Sequence, residues 1–117
     1  MTTRNASCLC KNVKLKVTGD PFTFTICHCL NCKKSSGSAF LANTFFRSEN
    51  VVVTEGSDFL REYKDSGTAS GRILTRSFCS NCGSTMALRP STDSNVPRTD
   101  IIIIPVSMVN DPHDWRS

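Results

Sequence analysis

A chain of 117 residues with 38% hydrophobic content is long enough to bury a core, and its length is typical of one domain. Its longest apolar run, Ile101–Ile104, is much shorter than the ~18–20 residues of a membrane-spanning helix. The formal charge of +4 comes from scattered lysines and arginines, which disfavours a nucleic-acid-binding surface.

The predicted strands begin with residues 12–17, "NVKLKV", where apolar residues alternate with lysines. A Gly-Asp-Pro turn at 19–21 ends this strand. Seven further segments rich in β-branched or aromatic residues follow, and turn-forming residues separate most of them. They are 22–27, 39–46, 51–54, 58–63, 72–78, 85–89 and 100–106.

Helical periodicity is weak, and a short helical turn after Cys32, through Ser36, is the only helix predicted. We therefore expect one all-β domain spanning residues 1–117, with about eight short strands in a sandwich or a barrel-like pair of sheets.

The amino terminus, "MTTRNASCLC", lacks the apolar segment of a secretory signal. We expect a cytoplasmic protein, with the nucleus as the alternative, where thiols stay reduced. Seven closely spaced cysteines in such a compartment favour metal ligands over disulfides. If all seven were thiolates around two zinc ions, most of the formal charge of +4 would be cancelled.

The clearest metal-binding motif is the CxxCG sequence formed by Cys79, Cys82 and Gly83. A tight turn lets both sulfurs face one ion, and the glycine tolerates the dihedral angles that such a turn requires. Cys8 and Cys10 are the natural second pair, because their side chains would share one face of an extended segment. The shared site would close a loop of about 70 residues. The alternative is that these thiols are merely small buried hydrophobic groups.

Cys27, Cys29 and Cys32 form a second group, with CxCxxC spacing. Three protein ligands and one exchangeable position are the usual arrangement of a catalytic zinc. Iron–sulfur binding, or an ion shared with another cysteine, are the alternatives. His28 would point away from the cysteines on a strand, whereas His113 could reach the site from the far end of the chain.

The residues that follow this group have two possible roles. Lys33 and Lys34 would offset the negative charge of three thiolates and attract a carboxylate-bearing substrate, or simply point to solvent. The segment "SSGS" at 35–38 would form a flexible loop that admits a ligand, or a plain turn.

The cysteine motifs together resemble the family of glutathione-dependent formaldehyde-activating enzymes, which includes the centromere protein V proteins. These motifs are the early CxC, the segment "CHCLNCKKSSGSAF" and, about fifty residues later, "FCSNCG". The resemblance covers about residues 6–106. It implies a β-tent fold with a structural zinc and a second, catalytic and labile zinc. The implied ligands of the structural zinc are Cys8, Cys10, Cys79 and Cys82. Those of the catalytic zinc are Cys27, Cys29 and Cys32.

The activity that the resemblance implies is carbon–sulfur lyase chemistry, the joining of glutathione or a similar small thiol to formaldehyde or the reverse. Family members usually continue past "DPHDW" into a segment with a further histidine, whereas this chain ends at "DWRS", as a short or truncated member would. No motif identifies glutathione itself. The residues alone also allow a non-catalytic zinc module that binds a protein or nucleic acid, or a metal or redox sensor.

Overall fold

The computed structural model describes residues 1–68 and 70–115, and within them the chain forms nine β-strands and one α-helix. Every strand pairing is antiparallel. The prediction of an all-β domain class is therefore confirmed. The elements in chain order are β1 Thr3–Ser7, β2 Lys14–Thr18, β3 Thr23–Cys27, α1 Leu30–Ser36, β4 Leu41–Arg47, β5 Val51–Glu55, β6 Leu60–Asp65, β7 Leu74–Cys79, β8 Thr85–Arg89 and β9 Ile101–Pro105.

The strands form two sheets, as expected for the β-tent arrangement. The smaller sheet has the order β1-β2-β5, and the larger has the order β3-β4-β9-β8-β7-β6. Strands β3 and β6 are therefore the two edges of the larger sheet. Helix α1 directly follows β3, and its Asn31 side chain nevertheless donates hydrogen bonds to Asp65 at the end of β6. The larger sheet must therefore curl until its two edges approach each other.

The main core joins the two sheets. Val13, Leu15 and Val17 from the smaller sheet cluster with residues of the larger one, including Phe46 and Ile104. The alternation of apolar and lysine residues in β2 is explained by this packing, because every second side chain of the strand is buried.

Strand β9 is buried on both faces, which explains its unbroken apolar sequence. Ile102 and Ile104 belong to the main core, whereas Ile103 packs with Leu41, Leu88 and Cys32 in a second apolar cluster. Through Cys32, the second cluster packs the three-cysteine segment against the centre of the larger sheet.

Eight of the nine strands overlap the predicted segments, but β1 was not predicted. The sequence of β1, "TRNAS", has no apolar alternation, and Ala6 is its only buried residue. Its strand conformation comes from pairing with β2, where Ala6 lies opposite Leu15. Helix α1 begins at Leu30, before the predicted turn, and no helix among the described residues is both long and apolar enough to cross a bilayer.

Gly56 allows the chain after β5 to pass close to the hairpin that joins β1 and β2. It has a φ of 79°, and a Cβ added there would lie 1.9 Å from the carbonyl oxygen of Asn12. We predict that Gly56→Ala lowers the free energy of unfolding by about 3 kcal/mol or more, because left-handed strain adds to a backbone clash.

The matched control is Gly71→Ala. Gly71 has a φ of 78°, but a Cβ there would meet no described atom within 4 Å. Strain alone should cost about 1–2 kcal/mol. Urea denaturation of both variants measures the difference, and equal losses would contradict the close approach at Asn12.

Candidate functional site

Two hairpin turns, one from each sheet, bring four cysteine sulfurs together. Cys8 and Cys10 follow β1, while Cys79 and Cys82 lie at the β7–β8 turn, and the four sulfurs lie within 4.8 Å of one another. The Sγ–Sγ distance is 3.5 Å from Cys8 to Cys10 and 3.7 Å from Cys10 to Cys79. Thiolates bound tetrahedrally to zinc at ~2.3 Å lie about 3.8 Å apart, so this donor set fits a zinc ion.

The prediction that Cys8 and Cys10 lie on an extended segment is wrong. Strand β1 ends at Ser7, and the Lys11 N–H donates to the Cys8 carbonyl at 3.1 Å, which closes a turn. Lys11 has a φ of 66°, so the chain reverses there and enters β2. Both sulfurs are thus presented from a tight turn, as in the Cys79–Cys82 segment, rather than from one face of a strand.

The two turns have similar backbone hydrogen bonds and contact each other directly. The Cys8 N–H donates to the Val13 carbonyl at 3.1 Å, and the Cys79 N–H donates to the Ser84 carbonyl at 3.0 Å. The Leu9 N–H also donates to Ser84 Oγ at 3.0 Å, so a hydrogen bond joins the turns beside the sulfurs.

The surroundings favour the thiolate at some of these four positions and the neutral thiol at others. Burial raises the pKa of Cys79 to about 11. Burial acts in the same direction on Cys82, but hydrogen bonds from Ser84 outweigh it and bring the pKa of Cys82 to about 5. The Asn81 side chain lowers the pKa of Cys10. A bound dication would favour the thiolate at Cys79 as well.

The second group of sulfurs lies where β3 meets α1. Cys27 ends β3, Cys29 caps the helix and Cys32 lies in its first turn, and the three sulfurs lie within 4.8 Å of one another. Cys27 Sγ and Cys29 Sγ are 3.3 Å apart, and Cys29 Sγ accepts the Cys32 N–H at 3.3 Å. Cys32 is buried and Cys29 is exposed. The group is thus anchored in the protein on one side and open on the other.

The helix cap and an arginine adjust the charge state of this second group. Burial raises the pKa of Cys32 to about 12, and Arg76 acts in the opposite direction. The Cys32 N–H lowers the pKa of Cys29, the exposed member. The protein alone therefore does not favour three thiolates together, and a cation would be needed to hold them.

The other predicted neighbours lie apart from the sulfurs. His28 is exposed, with its ring centroid 6.0 Å from that of Phe40, and His113 stacks on Trp115 at 4.4 Å. Neither belongs to the thiol groups. Lys33 and Lys34 are exposed on α1, as in the solvent-facing alternative.

The predicted flexible loop at 35–38 is wrong in its first half. Ser35 and Ser36 lie in α1, because the helix ends only at Gly37. Gly37 has a φ of 67° and donates its N–H to the Lys33 carbonyl at 2.9 Å, which is a common helix ending.

A cavity of about 590 Å³ adjoins the three-thiol group. Its volume is typical of a small-molecule site. The three cysteines line one side, Leu30, Ile73 and Leu74 provide apolar wall, and Arg72 and Arg76 are its cationic side chains. No described residue that lines the cavity is acidic or a histidine.

Asp65 and Arg76 form a buried ion pair at the wall of the cavity. Arg76 Nε and Nη2 each donate to Asp65 Oδ2 at 3.1 Å, and Nη1 donates to Ser35 Oγ at 3.1 Å. Burial alone would raise the pKa of Asp65, but hydrogen bonds from the Gly67 N–H and from Arg76 reverse the effect and lower it. The pair therefore stays ionised and holds α1 against β6 and β7.

Sequence reasoning missed Asp65, Arg72 and Arg76. The one available signal was that Arg76 interrupts an otherwise strand-like apolar segment, "RILTRSF". A charge at a core-facing position is a reason to search for a buried partner.

The family model described as "Glutathione-dependent formaldehyde-activating enzyme" matches residues 3–117. The chain belongs to this family. The family resemblance predicted from the cysteine motifs is thereby confirmed.

Relatives agree with the family assignment. An uncharacterized lyase of Schizosaccharomyces pombe is 32% identical over 80 residues, which are 68% of this chain and 53% of that protein. The chain thus spans about half the length of the curated relative it matches. The crystal structure of a Rhodobacter sphaeroides protein has a TM-score of 0.67 at 17% identity, covering 93% of this chain and 90% of that one, and supports the fold.

The Asp65–Arg76 pair provides a stability test. The side chains of Asp65 and Arg76 are only 8% and 7% exposed. We predict that Asp65→Asn lowers the free energy of unfolding by about 3–4 kcal/mol, because Arg76 would remain buried without its counter-charge.

Asp100→Asn is the matched control. The Arg98–Asp100 pair is 41% and 54% exposed, so its loss should cost less than about 1 kcal/mol. Chemical denaturation of both variants checks the contrast. A loss at Asp65 no larger than that at Asp100 would show that the buried pair does not hold the helix in place.

Proposed function

We propose that the chain is a zinc-dependent carbon–sulfur lyase that joins a small thiol, such as glutathione, to an aldehyde, or cleaves the adduct. The observation that carries this proposal is the position of the three-thiol group. It faces a cavity of about 590 Å³ and includes the exposed Cys29, whereas the four-thiol group supplies a complete tetrahedral ligand set.

The two groups would have different roles. Cys8, Cys10, Cys79 and Cys82 would hold a structural zinc, and Cys27, Cys29 and Cys32 would hold a catalytic zinc with one exchangeable position. When bound, the catalytic zinc acts as a Lewis acid that lowers the pKa of a substrate thiol or polarises an aldehyde oxygen.

The cavity would position the substrates, with water reaching it on the side of the exposed Cys29. In the forward direction the substrate thiolate attacks the aldehyde carbon, a C–S bond forms, and the carbonyl oxygen takes up a proton. No described cavity residue is acidic or a histidine, so this proton comes from water. Leu30, Ile73 and Leu74 would shield the reacting carbon.

Metal analysis tests the two roles. We expect about two zinc ions per wild-type chain, and about one in Cys29→Ser. Cys29→Ser should stay folded, because residue 29 is exposed and serine is itself a good helix cap. An unchanged zinc content would contradict the assignment of Cys29.

The four-thiol group should behave differently. We expect Cys79→Ser to unfold or become insoluble, because binding of a structural zinc contributes directly to folding. Circular dichroism of purified protein measures the outcome. A folded, soluble Cys79→Ser chain would mean that the four-thiol group is not the structural centre.

The lyase activity is tested by the loss of free glutathione thiol in the presence of formaldehyde. Wild type should accelerate the reaction, and Cys29→Ser should lose about 100-fold or more of the acceleration. Lys16→Ala, on an exposed position of β2, is the control and should keep the wild-type rate. No acceleration by wild type over the spontaneous reaction would reject this substrate pair.

A further inference from the structure

The two cavity arginines differ in their availability to a ligand. The Arg76 side chain is 7% exposed, and its three guanidinium nitrogens donate to Asp65 and Ser35. The Arg72 side chain is 54% exposed and also lines the cavity. Among the described cavity residues, Arg72 is therefore the cation that can contact a bound molecule.

The partner of Arg72 in the structure is Asp93. The Asp93 side chain is 85% exposed and does not line the cavity. An ion pair this exposed is strongly screened by water and contributes little to stability. A second carboxylate could therefore replace Asp93 on the guanidinium at small energetic cost.

The position of Arg72 does not depend on its pairing with Asp93. The next residue, Ile73, donates its N–H to Asn95 Oδ1 at 2.9 Å, and Leu74 begins β7. The backbone that carries Arg72 is thus fixed on its carboxyl side, and only the side chain has to move when its partner changes.

We propose that Arg72 binds a carboxylate of the substrate, and that Asp93 occupies the guanidinium until the substrate replaces it. The inference rests on the proposed lyase function and narrows its substrates to thiols that carry a carboxylate. Three thiolates around one zinc ion have a net negative charge, which repels an anionic substrate. Because Asp65 neutralises Arg76, Arg72 is the cavity charge that offsets the repulsion.

The neighbouring wall strengthens this contact. Ile73 and Leu74 line the same cavity as Arg72, so a carboxylate bound there would lie among apolar side chains, where charges attract more strongly than in water. The planar fork of an arginine also matches the two oxygens of a carboxylate, which a lysine ammonium does not.

Calorimetric titration of the zinc-loaded chain with S-methylglutathione tests the contact. This probe retains both carboxylates but has no thiol, so its binding does not require a sulfur–metal bond or any reaction. The comparison ligand is its diethyl ester. Wild type should bind the acid more tightly than the ester, and Arg72→Gln should bind the acid about 5–10-fold more weakly with no change for the ester.

Two further variants test whether Asp93 competes with the ligand and whether loss of any arginine charge weakens binding. Asp93→Asn should tighten binding of the acid about 2–5-fold, because the internal competitor is removed. Arg61→Gln is the charge-matched control and should leave both affinities unchanged, since Arg61 donates to the Asp58 and Leu60 carbonyls outside the cavity. Zinc content equal to that of wild type checks that each variant is folded.

The proposal is overturned if wild type does not bind the acid or does not distinguish it from the ester. It is also overturned if Arg72→Gln behaves like Arg61→Gln, or if Asp93→Asn fails to tighten binding. Should Arg72→Gln not fold, Arg72→Lys and Asp93→Asn decide the matter by the same criteria. Absence of lyase activity alongside this binding pattern would reject the proposed reaction and leave the Arg72 contact standing.

Discussion

The meeting of four cysteine sulfurs at two hairpin turns is the constraint on which the rest of the structure depends. One hairpin belongs to the small sheet and the other to the large sheet, so the cluster links elements that are about 70 residues apart in the chain. The core between the sheets is small, and a metal at this point would fix the angle between them. Strand β7, which ends at Cys79 in this cluster, also carries the cavity residues Leu74 and Arg76.

The second thiol group differs from the first in its surroundings. Cys32 is buried against the centre of the larger sheet, while Cys29 faces outward from the start of α1. The ion pair of Asp65 and Arg76 holds the helix in place against β6 and β7. The same residue type therefore forms a group of four sulfurs at one place and an open group of three at another.

The sequence predicted the parts of the protein that are local in the chain. Cysteine spacing predicted the two groups of sulfurs that could hold a metal ion, and apolar periodicity located β2 to β9. Strand β1 was missed because pairing with β2, rather than its own side chains, makes it a strand. The cavity residue Arg76 and its partner Asp65, which lies outside the cavity, were missed because their pairing and the contact of Asp65 with Asn31, 34 positions away, form only when the strands are assembled. Cytoplasmic location and the single-domain boundary remain predictions.

The contact between α1 and β6 links the two edge strands of the larger sheet through the helix that follows β3. The width of the cavity is then set by strand twist as well as by the side chains that line it. The irregular pairing of β7 with β8 at Ser77 and Phe78 is a point where that twist is adjusted. Leu74 and Arg76 line the cavity before this bulge and Cys79 follows it directly, so one local irregularity of β7 lies between the cavity wall and the four-thiol group.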